Sequence, residues 1–91
     1  MSTLLVAYDL NAPGQDYEKL IDAIKGLGAW WHHLDSTWLV KTSKTAASVR
    51  DLLIRHLDSS DELLVIDVSG DARAWHGFTP AGSKWLKETF E

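Results

Sequence analysis

The sequence predicts a two-layer α+β sandwich, a four-stranded antiparallel sheet with two helices on one face. Three observations predict it. Four short runs rich in β-branched, aromatic and aliphatic residues, Thr3–Tyr8, Ala29–Leu34, Thr37–Thr42 and Glu62–Val68, are bounded by turn residues. Two stretches with helical periodicity separate the first run from the second and the third from the fourth. The order strand, helix, strand, strand, helix, strand interleaves two strand–helix–strand units and gives strand order 4-1-3-2.

Each element has its own signal. Thr3–Tyr8 is a buried strand that runs into Asp9-Leu10-Asn11 and then Ala12-Pro13-Gly14, a loop composition. Asp16 is placed to cap a helix whose apolar stripe is Tyr17, Leu20, Ile21, Ile24 and Leu27, with Gly26 and Gly28 as its stop. Ala29–Leu34 and Thr37–Thr42 flank Asp35-Ser36 and read as a β-hairpin. Ser43 is placed to cap a second helix that turns Val49, Leu52, Leu53 and Leu57 inward. The turn Asp58-Ser59-Ser60-Asp61 ends it before the fourth strand. This arrangement is the ferredoxin-like sandwich. Beyond it, Thr79-Pro80 has the form of an N-cap with proline at the first helical position, which predicts a short C-terminal helix over Ala81–Phe90.

With two helices on one face, the other face of the sheet needs polar residues or a cover. Strand alternation sends some of Trp30, Trp31, His32, His33 and Trp38 to each face, and Trp75, Phe78, Trp85 and Phe90 add further aromatic surface. An uncovered aromatic face usually marks a partner interface. The expectation is a single domain over 1–91 with its core in 3–70. The extension 71–91 would then lie at the interface of a homodimer and cross to the other protomer.

Composition narrows the function classes. A chain of 91 residues, 45% hydrophobic and 24% charged, is an ordinary folded domain rather than a disordered segment. With 0 cysteines there is no disulfide framework, thiolate nucleophile or cysteine zinc site. No apolar run approaches the ~20 residues needed to cross a bilayer, and no basic leader precedes the first strand, so a cytoplasmic protein without a membrane partner is expected. Nine basic against thirteen acidic residues give a net charge of −4. Gripping nucleic acid through its phosphates would therefore require a local basic patch, a metal ion or a partner.

Among candidate chemical groups, Asp9 comes first. It closes an apolar strand at the sheet margin, where a carboxylate must be solvated, bonded or bound to a cation. The topology sets it beside Ser36-Thr37-Trp38, and a carboxylate with nearby hydroxyls suits Mg²⁺ or Mn²⁺. Across a two-fold axis, two copies of Asp9 can share one ion. The alternative is an Asx-turn in which Asp9 caps the following loop. His32 and His33 are adjacent, point to opposite faces of a strand, and so cannot serve one ion together; either one can act as a base or simply pack. Lys41, Lys44 and Arg50 gather around the end of the third strand and the second helix, as a phosphate contact or as a solvated helix face. The tryptophans can stack bases or fill core and interface. There is no nucleophile-elbow motif, phosphate-binding glycine loop or dinucleotide fingerprint.

Tyr8-Asp9-Leu10 closing the first strand, and Ser36-Thr37-Trp38-Leu39-Val40 opening the third, resemble the CRISPR-associated protein 2 family of small ferredoxin-like homodimers. The resemblance covers about Leu4 to Val68; the virulence-associated protein D ribonucleases are similar in architecture. It implies a metal-dependent phosphodiesterase acting on RNA or DNA. One Asp9 from each protomer would hold Mg²⁺ or Mn²⁺, and Ser36 would orient a phosphate or the attacking water. That family also includes members that bridge protein partners and hold duplex DNA without cutting it. The competing expectation is a non-catalytic dimeric module that binds a protein or nucleic acid through aromatic surface; a third is an effector sensor with its ligand between protomers.

Overall fold

A computed structural model describes residues 1–11 and 17–88. Four strands, β1 (Ser2–Asp9), β2 (Ala29–Leu34), β3 (Thr37–Thr42) and β4 (Glu62–Asp67), form one antiparallel sheet in the order β2-β3-β1-β4, the expected 4-1-3-2 arrangement. Helices α1 (Glu18–Lys25) and α2 (Ala46–Leu53) lie on one face, and α3 (Pro80–Glu88) follows the sheet. The proposed Asp16 cap, the turn at Ala12–Gly14, and Phe90 lie outside the described residues. Among the described residues no helix is long and apolar enough to cross a membrane.

The main core forms where the period-2 face of the sheet meets the two helical stripes. Leu4, Val6 and Tyr8 of β1 and Trp38 and Val40 of β3 pack against Leu20 and Ile24 of α1 and Val49 and Leu53 of α2. Trp38 is nearly fully buried, and its indole Nε1 donates to Tyr8 Oη at 2.9 Å, satisfying a polar atom that the core would otherwise strand. On the β2 side, the His32 ring stacks on Trp38 at 3.7 Å between centroids, and Trp30 tilts against Trp38 at 5.4 Å.

Two local details differ from the sequence expectation. Helix α2 is capped by Thr45 rather than Ser43: Thr45 Oγ1 accepts from Ser48 N and Ser48 Oγ accepts from Thr45 N. Ser43 has Ala46 three residues on and cannot form this reciprocal pair, so the helix starts later. Leu53 passes into a single 3-10 turn, Ile54–His56. The C-terminal cap is as expected, with Thr79 Oγ1 accepting from Gly82 N at 3.2 Å and Pro80 opening α3.

The second face of the sheet is dried in part by the chain's own C-terminal segment. Trp31 and Leu39 pack with Leu86 of α3 in a separate core, joined by Leu5, Val68, Trp75, Phe78 and Trp85. Trp31 Nε1 donates to Gly82 O and Trp75 Nε1 to Ser83 Oγ, so both indoles are pinned to α3. Arg73 reaches the last carbonyls of that helix, Leu86 O and Lys87 O. The segment thus folds back onto the sheet it follows. Where it leaves β4, Ser69 Oγ accepts from Thr3 N and Ser69 N donates to Asp67 Oδ1. These Ser69 bonds, side chain first and backbone second, hold the exposed Asp67 carboxyl below its usual range.

Two substitutions test this account. Gly28 has a φ of 153°, and a Cβ there would lie 2.1 Å from the Lys41 carbonyl oxygen. Gly28→Ala should therefore break the start of the β2–β3 pairing and cost more than about 2 kcal/mol in a denaturant titration. Tyr8→Phe leaves the buried Trp38 indole N–H without its acceptor and should cost about 1–3 kcal/mol by the same measurement.

Candidate functional site

The end of β1 is where chemistry-bearing side chains meet. Alternation sends Leu4, Val6 and Tyr8 into the main core and therefore Leu5, Ala7 and Asp9 to the opposite face. In β4 the corresponding residues are Glu62, Leu64 and Ile66, because Leu63 and Val65 pack with the main core. The β1–β4 register pairs Asp9 directly with Glu62 and Ala7 with Leu64. The hairpin turn closes the other side, with Ser36 O accepting from Tyr8 N at 3.1 Å and Thr37 paired with Ala7. A shallow concavity of about 400 Å³ results, with Asp9, Glu62, Ser36 and Thr37 around it.

The two carboxylates are set by a brace behind them. Asp61, one residue before Glu62, accepts from Asn11 N at 2.7 Å, from Asp58 N at 2.7 Å, and from Tyr17 Oη at 2.7 and 2.8 Å. Asn11 Nδ2 donates to Ser60 O at 3.0 Å. The chain leaving Asp9 is thereby tied to the chain entering Glu62. Asp9 itself is exposed at the sheet margin. It is the Asp61 carboxylate that accepts the loop's backbone amide at Asn11, the part an Asx-turn assigned to Asp9.

Sequence reasoning brought Asp9 and Ser36 to the same place and missed Glu62. Glu62 reads as the polar first residue of an apolar strand, and only the β1–β4 register makes it the partner of Asp9. Lys41, Lys44 and Arg50 are not part of the concavity. Lys41 pairs with Thr3, six residues along β1 from Asp9, so about 20 Å separate them along the strand. Lys44 lies further out, beyond the end of β3, and Arg50 on α2 forms an exposed ion pair with Asp51 at 2.9 Å. His32 and His33 do point to opposite sides. His32 stacks on Trp38, and His33 packs beside Phe78 and against Gly82 of α3.

For a divalent cation the donor set is all oxygen: two carboxylates and two hydroxyls. That fits Mg²⁺ or Mn²⁺, which take one or two protein carboxylates and keep several waters. Among the described residues no group of three or more histidine or acidic side chains is placed to hold a metal ion.

The apolar neighbour of this concavity is a cleft of similar size, about 400 Å³, between the sheet and the C-terminal segment. Leu5, Trp31, Leu39, Trp75 and Phe78 line it, and Thr37 belongs to both hollows. A one-residue register shift between Trp31 and Leu34 lets both side chains face this cleft, which strict alternation forbids. Outside the cover, Leu34, Leu64 and Ile66 remain 49%, 54% and 43% exposed.

Removing the brace should be felt locally and globally. Asp61→Ala deprives three donors of their acceptor and should lower stability by about 2 kcal/mol in thermal or chemical unfolding. It should also broaden the amide resonances of Asn11 and Glu62.

A scan against family models matches none to this chain, and no curated protein matches it.

Proposed function

We propose that the protein is a homodimeric, divalent-metal-dependent phosphodiesterase of the kind its resemblance to the CRISPR-associated protein 2 family implies, with RNA or DNA as substrate. The observation that carries this reading is the pairing of Asp9 with Glu62 beside the Ser36 and Thr37 hydroxyls in one concavity. In a dimer meeting through this face, Asp9 of each protomer would hold the ion, with Glu62 as a further carboxylate beside it. When bound, Mg²⁺ or Mn²⁺ supplies electrostatic activation of the phosphodiester and of its attacking water. The Ser36 hydroxyl donates to a phosphate oxygen and orients the group for in-line attack. The P–O bond breaks as the water oxygen bonds phosphorus, and the leaving oxygen takes up a proton.

One further observation supports the dimer: Leu34, Leu64 and Ile66 offer apolar contact on the same side of the sheet as Asp9. With Lys41, Lys44 and Arg50 displaced from the concavity, the Ser36 and Thr37 hydroxyls are the neutral donors that would meet a phosphate there. The surplus of tryptophan, which favoured a purely aromatic binding module, is largely absorbed by packing. Trp31, Trp38, Trp75 and Trp85 all belong to the two cores, while Trp30 is 42% exposed with Lys25 Nζ 5.2 Å from its ring centroid.

The test is cleavage of labelled RNA and duplex DNA with Mg²⁺ or Mn²⁺, comparing the wild-type chain with Asp9→Ala and Glu62→Gln. Cutting that disappears with EDTA and falls at least ~100-fold in Asp9→Ala is the expected result. Cutting that survives Asp9→Ala, or a wild-type chain that is dimeric by light scattering and inert with both metals, overturns the reading.

A further inference from the structure

The outer strands of a sheet present backbone groups that seek partners, and the two edges of this sheet differ. The β2 edge carries the register shift between Trp31 and Leu34, an irregularity that discourages further pairing. The β4 edge keeps six residues in unbroken register with β1 and contains no proline, lysine or bulge. Two bonds fix which of its groups face outward. Tyr8 N donates to Ser36 O, so Leu4, Val6 and Tyr8 turn their backbone groups to β3. Thr3 O accepts from Val68 N, so Thr3, Leu5, Ala7 and Asp9 turn theirs to β4. By the β1–β4 register, Glu62, Leu64 and Ile66 then bond toward β1. The N–H and C=O groups of Leu63, Val65 and Asp67 point out of the sheet, and among the described residues no backbone group meets them.

We infer that this edge pairs with the same edge of a second copy of the chain, antiparallel about a two-fold axis at Val65, so that two sheets join edge to edge. One register is self-complementary. With Val65 opposite the partner's Val65, Leu63 lies opposite the partner's Asp67 and Leu64 opposite the partner's Ile66. Every outward N–H and C=O of Leu63, Val65 and Asp67 then finds a partner. Leu64 and Ile66, 54% and 43% exposed in the single chain, meet across the axis as apolar cross-strand pairs. A slip of two residues one way sets Asp67 against the partner's Asp61, a like charge whose amide is already spent on Asp58 O. The opposite slip sets Leu63 against the partner's Ser69, whose amide is spent on Asp67 Oδ1. On the helical side, Leu63 and Val65 border a hollow of about 310 Å³ that the small side chains of Ala46 and Ala47 leave open, and the partner's Val65 enters it. This contact does not rest on phosphodiesterase activity. It leaves the face that carries Asp9 open, so cleavage and edge pairing succeed or fail separately.

The test follows the full chain by sedimentation equilibrium and by amide hydrogen exchange from about 10 μM to about 1 mM. The mass should rise from one chain toward two, and the amides of Leu63, Val65 and Asp67 should exchange at least about fivefold more slowly at the upper concentration. The Trp30 amide, which the β2–β3 register turns outward on the other edge, should not change. Leu64→Lys/Ile66→Lys sets lysines opposite lysines and should keep the chain monomeric, whereas Leu34→Lys, exposed at the far edge, should leave association intact. The chain has 0 cysteines, so cross-linking reports the register without depending on those variants. Residues opposed as Leu64 and the partner's Ile66 have Cα atoms about 4.5 Å apart, within disulfide reach. An equimolar mixture of Leu64→Cys and Ile66→Cys should therefore cross-link at least about fivefold faster than either variant alone. Four results each overturn the inference: a wild-type chain that stays monomeric to about 1 mM, which leaves the edge to a foreign strand; a dimer whose Leu63, Val65 and Asp67 amides gain no protection; a dimer that Leu34→Lys disrupts as strongly as Leu64→Lys/Ile66→Lys; and Leu64→Cys alone cross-linking as fast as the mixture.

Discussion

A four-stranded sheet has two faces to remove from water, and the strand–helix–strand repeat supplies helices to only one. Everything distinctive about this chain follows from how it meets the second requirement. The helical face is closed by conventional means, with β1 and β3 at the centre of the sheet and two amphipathic helices laid across them. The opposite face is closed only in part, over β2, β3 and Leu5 of β1, by a strap and a helix drawn from the last fifth of the chain. At roughly 25 cal/mol per Å² of apolar surface, the buried Trp31 and the partly buried Trp75, Phe78 and Trp85 justify such a cover. The remainder of that face, from Ala7 to Ile66, stays open and carries both the carboxylates and the exposed leucines.

Much of the fold was legible because periodicity and turn chemistry agree. Alternation in β1 and β3, the Asp35-Ser36 hairpin and the stripe Leu20–Ile24 all point one way, and β-α-β handedness does the rest. What escaped was local or long-range in a specific sense. The start of α2 depends on a reciprocal pair, Thr45 with Ser48, that competes with an equally plausible serine two residues earlier. The docking of α3 on β2 depends on Gly82, whose missing Cβ leaves room for the His33 ring and whose carbonyl accepts from Trp31 Nε1. No period in the sequence reports such a contact.

The candidate site was half legible for the same reason. Asp9 and Ser36 are linked by topology alone, since the end of the first strand must lie beside the start of the third. Glu62 is paired with Asp9 by register, which is fixed by which residues of β4 must face the core. A one-residue slip would send Leu63 and Val65 outward and take Glu62 away from Asp9. Asp61 is the stronger surprise. It looks like one more acid in a polar turn, yet it gathers three donors, two of them, Asn11 N and Tyr17 Oη, from more than forty residues away. The basic residues failed to converge because sequence proximity to the end of β3 places them at the far margin of the sheet.

The Arg73 clasp on the last carbonyls of α3 joins the two ends of the cover to each other as well as to the sheet. The strap and helix therefore form a closed loop of their own, with its own internal bonds, resting on Trp31 and Leu39. Such a unit can come away whole while β1 and β3, bonded on both edges, keep their amides sealed. In hydrogen exchange this chain would behave as two cooperative bodies of unequal strength, with the weaker one guarding the aromatic half of the open face.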